Sequence, residues 1–230
     1  MNQPDITPLS RNTISCRAWA VAAVFSLIII ADQALKIYVK THFFLGEDYP
    51  ILSWFQLKFI ENNGMAFGME LGSKIALTLG RIAAVILFFW FISKIIKAPK
   101  IKIGFFIIAA MITAGAFGNI IDCIFYGQIF NNPYPPEIAQ LFPASGGYAG
   151  WFEGRVVDML YFPICEFNWP DWIPFIGGQH FEFFQYIFNI ADASICVAVF
   201  LLIFFYSNDF GEALLYVKNS LKKSEDPKLK

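Results

Sequence analysis

Asn119 and Asp122 stand three residues apart in GNIIDC, and Asn189 and Asp192 repeat that pairing in FNIADAS, each set at the edge of a long apolar run. On a helix, i and i+3 share one face. Asp32 and Lys36, four apart in DQALKIYVK, do the same with opposite charges. Two more polar stretches, ENNGMAFGM (61–69) and GRVVDML (154–160), supply Asn62, Gly64 and Asp158. Ionisable groups beside hydrocarbon are costly, so all of these are candidates for function. Each also has a structural reading: an ion pair for Asp32 with Lys36, a hydrogen-bonding role for Asn119, an orienting role for Asp122, a turn for ENNGMAFG. Asp192, deeper in its helix and preceded by Asn189, fits a merely structural role least well.

Other chemistries have less support. His42 and His180 have no convincing ligand partners, and Cys16, Cys123, Cys165 and Cys196 lack C-x-x-C or Cys/His ligand spacing. The cysteines read as small apolar residues, and no metal or other cofactor is expected. Ser, Cys and His form no recognisable nucleophile arrangement.

The elements that hold these residues must be membrane helices. The 230-residue chain is 57% hydrophobic, 18% aromatic and only 15% charged, too apolar for a soluble domain of its size. A net charge of −1 suggests no nucleic-acid partner. Four segments have the length and apolarity of transmembrane helices, about 18–39, 75–96, 103–125 and 186–206. Eleven of the 17 basic residues fall in the leader, the second-to-third connection SKIIKAPKIK and the tail. Basic residues accumulate on the cytoplasmic side, which predicts both termini inside and two outer loops, about 40–74 and 126–185. The polar stretches then converge at the outer membrane boundary. Alternation around Trp54 to Phe59 predicts short strands forming a small extracytoplasmic sheet. The whole of 1–230 reads as one membrane-integrated domain, with 219–230 as a disordered tail.

In order along the chain, DQALKIYVK, ENNGMAFG, GNIIDC, GRVVDM and FNIADAS resemble the motifs D-Q-x-x-K, N-x-G-x-A-F, G-N-x-x-D-R, G-x-V-V-D-F and F-N-x-A-D-S of the lipoprotein signal peptidases, or signal peptidase II. The resemblance implies a membrane aspartyl endopeptidase of the bacterial cell (inner) membrane. Its substrates would be diacylglyceryl-modified prolipoproteins, its surroundings membrane lipids, and its working form a monomer. Carried over, Asp158 and Asp192 become the catalytic pair. Asn119, Asp122 and Asn189 become orienting residues, and Asp32, Lys36, Asn62 and Gly64 shape the site, with Asp122 the alternative member of the pair. Two neighbouring carboxyls in a low dielectric tend to share one proton, so one can activate water while the other hydrogen-bonds the scissile carbonyl.

The chain departs from the pattern at Cys123, where the motif has Arg, and at Met159, where it has Phe. Asp158 is also flanked by long spacings, 36 residues from Asp122 and 34 to Asp192, rich in Pro, Gly and aromatics. A small proton-coupled carrier and a catalytically inactive scaffold of the same fold are the rival readings. The clustering of acids at one boundary, with no pathway across, counts against the carrier.

Overall fold

The computed structural model describes residues 9–62 and 74–225; Gly64 and the rest of ENNGMAFG beyond Asn62 lie outside them. Helix α1 runs Arg11–His42, followed by strands β1 (Asp48–Leu52) and β2 (Phe55–Asn62). Helices α2 (Lys74–Ile95) and α3 (Ile103–Ile121) come next. A π-helical turn, Asp122–Tyr126, carries α3 into the short α4 (Gly127–Ile129). Strands β3 (Val156–Tyr161), β4 (Cys165–Asn168), β5 (His180–Phe183) and β6 (Ile187–Phe188) precede α5 (Ile190–Phe205) and α6 (Ser207–Glu225).

Among the described residues, three helical segments are long and apolar enough to cross a membrane: Arg11–His42, Lys74–Ile95 and Ile103–Ile129. A fourth qualifies if α5 is joined to the start of α6 across an 89° bend. Alone, the 16 residues of α5 span about 24 Å at 1.5 Å per residue. The chain is a helical membrane protein with small antiparallel sheets.

Two compact units divide the chain. The first comprises residues 1–31, 79–118 and 191–230. Its core joins Ile92, Ile95, Ala98 and Ile101 with Phe105, Phe106, Ala109, Ala213 and Val217. Within it α3 and α5 pack through small residues, as bilayer helices do where dispersion replaces the hydrophobic effect. A Cβ on Gly115 would collide with the Ala191 carbonyl and the Ile195 side chain, and the Ser194 hydroxyl donates to the Met111 carbonyl at 3.2 Å.

The second unit comprises residues 32–78 and 119–190. Its main sheet has the order β1-β2-β3-β6, all antiparallel, and β4 pairs with β5 as a separate hairpin. Val39, Phe43, Phe59, Tyr126, Phe130, Val157 and Met159 form its core. Beneath the sheet, buried Lys40 pairs with Glu61, which also accepts from Arg155 at 3.2 Å.

The structure differs from the sequence reading in two places, and it adds a strand to the outer segment: residues 156–161 of GRVVDML enter the main sheet, because VVDMLY is apolar enough to be buried on both faces. Residues 219–225, expected as disordered tail, continue α6, whose Ala213 and Val217 pack into the core of the first unit and so hold a polar segment helical. Residues 187 and 188, placed in the last span, belong to β6.

Candidate active site

The β2–β3 register places Ile60 opposite Asp158. Side chains two residues apart on a strand share a face, so Asn62 becomes a diagonal neighbour of Asp158. The Asn62 amide donates to Asp158 Oδ2. On the other side, Asn189 follows β6 and donates to Asp158 Oδ1 at 2.7 Å. Asp158 is 2% exposed and Asn189 fully buried. A buried carboxylate is tolerated when its oxygens are hydrogen-bonded, and the fold delivers a neutral amide to each oxygen.

From Asn189 the network continues. Its amide also donates to Asn119 Oδ1 at 3.1 Å and to the Val157 carbonyl at 3.3 Å. Asn119 Oδ1 in turn accepts from Lys36 Nζ at 2.8 Å. Lys36 is fully buried and pairs with Asp32 at 2.9 Å and Asp122 at 2.8 Å. The four-residue spacing in DQALK thus makes an ion pair along α1, and the C-terminal end of α3 adds the second carboxylate.

Asp122 opens the π-helical turn. Its Oδ2 accepts from Lys36 and from the Val157 backbone N–H at 3.3 Å, and its Oδ1 accepts from the Gln33 amide at 2.9 Å. Gln33 also donates to Asp32 and accepts from the Tyr126 hydroxyl at 3.1 Å. Wide turns of this kind recur at functional positions. Here the turn brings the Cys123 carbonyl to the Gly154 N–H at 2.9 Å. The Asp122 carbonyl occupies the space a Cβ on Gly154 would need, so only glycine permits this approach. Cys123, in place of the motif's Arg, is 1% exposed.

Seven of the candidate residues, Asp32, Lys36, Asn62, Asn119, Asp122, Asp158 and Asn189, therefore belong to one hydrogen-bonded and ion-paired network within the second unit. Gln33 and Tyr126 join it although the sequence reading passed them over. Gln33 was visible as the second letter of DQALK; the signal for Tyr126 was its place one turn after Asp122. Asp192 is half-buried in the first turn of α5, three residues along the chain from Asn189 and assigned to the first unit.

Just before β3, Tyr148 accepts from the Arg155 backbone N–H at 2.7 Å, and Lys40 and Arg155 lie over its ring. Burial pushes its phenol well above the ordinary range, so Tyr148 stays neutral beside those charges.

The sequence matches the family model of signal peptidase (SPase) II over residues 24–207. A lipoprotein signal peptidase of Porphyromonas gingivalis is 47% identical over 186 residues, covering 81% of this chain and 82% of that one. Another, from Amoebophilus asiaticus, is 33% identical over 197 residues, covering 81% and 77%. Among solved structures, a bacterial membrane enzyme superposes with a TM-score of 0.56 at 21% identity, covering 83% of this chain and 88% of that one. A second gives 0.53 at 22% identity, covering 80% and 89%. These two show a shared fold; the sequence matches, spanning all the polar motifs but part of the termini, establish that the chain belongs to the signal peptidase II family of membrane peptidases.

Proposed function

We propose that this chain removes the signal peptide from diacylglyceryl-modified bacterial prolipoproteins, cutting just before the lipidated cysteine, with Asp158 and Asp192 as an aspartyl dyad. The observation that carries this reading is the setting of Asp158: a buried carboxylate in mid-strand, gripped by amides from two separate motifs. One of those amides belongs to Asn189, the residue that begins the N-x-A-D segment ending in Asp192. Family membership adds peptide hydrolysis as the chemistry such a carboxylate would serve.

The step follows from carboxyl chemistry. The ionised member of the dyad takes a proton from water while the water oxygen bonds to the scissile carbonyl carbon. The protonated member hydrogen-bonds the carbonyl oxygen and stabilises its developing charge. As the tetrahedral intermediate collapses, the C–N bond breaks and a carboxyl proton passes to the departing nitrogen. Asn62 and Asn189 fix the orientation of Asp158. Asp122, bonded to the Val157 N–H, is a positioning residue that holds the strand carrying Asp158.

In this reading the whole chain acts as one monomeric, membrane-integrated peptidase domain of the bacterial cell (inner) membrane, both termini cytoplasmic and the site at the extracytoplasmic face. The substrate's acyl chains remain among membrane lipids while its scissile bond meets water. The test is cleavage of a purified diacylglyceryl-prolipoprotein by wild type, Asp158→Asn, Asp192→Asn and Asp122→Asn, each checked for folded yield. Asp158→Asn and Asp192→Asn should each lose about a thousandfold or more in rate while remaining folded. Continued cleavage by Asp158→Asn beside a dead, folded Asp122→Asn would move the dyad to Asp122. A folded wild type that cannot cut would return weight to the carrier or the inert scaffold.

A further inference from the structure

Helix α6 follows α5 after a single non-helical residue, Tyr206, and turns away from it by 89°. Where α5 crosses a bilayer, such a turn lays α6 along the membrane surface. Its place is fixed within the first unit: Asp209, 5% exposed, accepts from the Lys102 backbone N–H at 2.8 Å, and Ala213 and Val217 enter the core beside Ile101 and Phe105. Glu212 pairs with Lys100 at 3.7 Å. One face of α6 is thereby occupied by the connection between α2 and α3.

A neighbouring row, i to i+4, reads Phe210, Leu214, Lys218, Lys222. Phe210 is 40% and Leu214 49% exposed, and both lysines are exposed. Asn208 and Asn219 lie exposed on the far side, with Glu212 between them and the protein-contact face. Protein contact, apolar row with lysines at its end, and polar back thus divide the helix into three. That division is what an interfacial helix needs: apolar side chains below the headgroups, lysines level with phosphate, polar groups in water. The last turn of α2 adds exposed Lys94, and the α2–α3 connection adds exposed Lys97, Lys100 and Lys102.

We infer that α6 is a binding site for acidic phospholipid in the cytoplasmic leaflet, with Phe210 and Leu214 seated in the acyl boundary and Lys218 and Lys222 on headgroup phosphates. The continuity with the apolar helix α5 and the local excess of positive charge both select an anionic bilayer surface as the occupant. The inference depends on the proposed topology only for which leaflet is engaged.

The experiment uses the full chain in nanodiscs of phosphatidylcholine with or without phosphatidylglycerol. A photoreactive benzoylphenylalanine replaces Leu214, Asn208 or, as a bilayer control, Phe200 of α5. Lipid adducts are expected at positions 214 and 200 and not at 208. At 214 the adducts should be enriched in phosphatidylglycerol, and the enrichment should fall roughly fivefold for each of Lys218→Gln and Lys222→Gln. Cross-links from 214 to a second copy, or no adduct there while 200 labels lipid, would overturn the inference. So would an enrichment that ignores both lysine substitutions. No cleavage enters the readout, so this result and the peptidase assay stand or fall separately.

Discussion

Lys36 has three ammonium protons and three acceptors, Asp32, Asp122 and Asn119, all within 2.9 Å. With no exposed surface it is the counter-charge for two buried carboxylates. Removing one partner of a buried ion pair strands the other, which typically costs about 3–5 kcal/mol. Lys36→Met should therefore lower the thermal unfolding temperature in detergent markedly and reduce folded yield. Adding Asp122→Asn to Lys36→Met should restore part of the loss, since it removes one stranded charge. Strictly additive losses would show that the two groups do not interact as the geometry states. Gln33 and Tyr126 extend the same logic with neutral groups. Tyr126→Phe removes the hydrogen bond to Gln33 and is expected to cost about 1 kcal/mol, measured by the same unfolding assay.

The π-helical turn and β3 form one device: the Cys123 carbonyl accepts the Gly154 N–H, and the Asp122 side chain accepts the Val157 N–H. Gly154→Ala would drive a methyl into the Asp122 carbonyl, and such overpacking typically costs about 1–3 kcal/mol. The expected result is a less stable chain whose cleavage rate falls more than its substrate affinity, because the displaced element carries Asp158. An unchanged rate would detach the turn from catalysis. This device was not legible in the sequence, since DCIFY reads as ordinary helix and a wide turn leaves no local signature. The Asp32–Lys36 and Asn119–Asp122 spacings were legible because each lies on continuous helix; Asn189, read as sharing a helix face with Asp192, instead lies between β6 and α5. The contact of Asn62 with Asp158 was not, because it requires the register between two strands 96 residues apart at those positions. Six consecutive residues, VVDMLY, gave no period to separate strand from loop, and the lysines of the tail masked the apolar positions that fold α6.

For the molecule as a whole, the basic residues that count toward orientation must be separated from those the fold consumes. Lys36, Lys40 and Arg17 are buried, and Arg17 donates to the carbonyls of Ile96, Ala98 and Ile101 at 2.5–3.0 Å. Those bonds tie the early part of α1 to the α2–α3 connection, and the Lys102 bond to Asp209 ties that connection to α6. All three segments therefore lie together in the first unit, and in the proposed topology the exposed lysines gathered there put them on the cytoplasmic side. Cys165, exposed on β4 after the third span, should face the opposite compartment. On intact spheroplasts a membrane-impermeant maleimide is expected to label the wild type but not Cys165→Ser. A Ser220→Cys variant built on Cys165→Ser with Cys16→Ser, the latter removing the other exposed thiol of that side, should react only after lysis, because Ser220 lies exposed on α6. The reverse pattern would invert the topology, placing the candidate site in the cytoplasm, where an exported prolipoprotein would meet it before crossing the membrane.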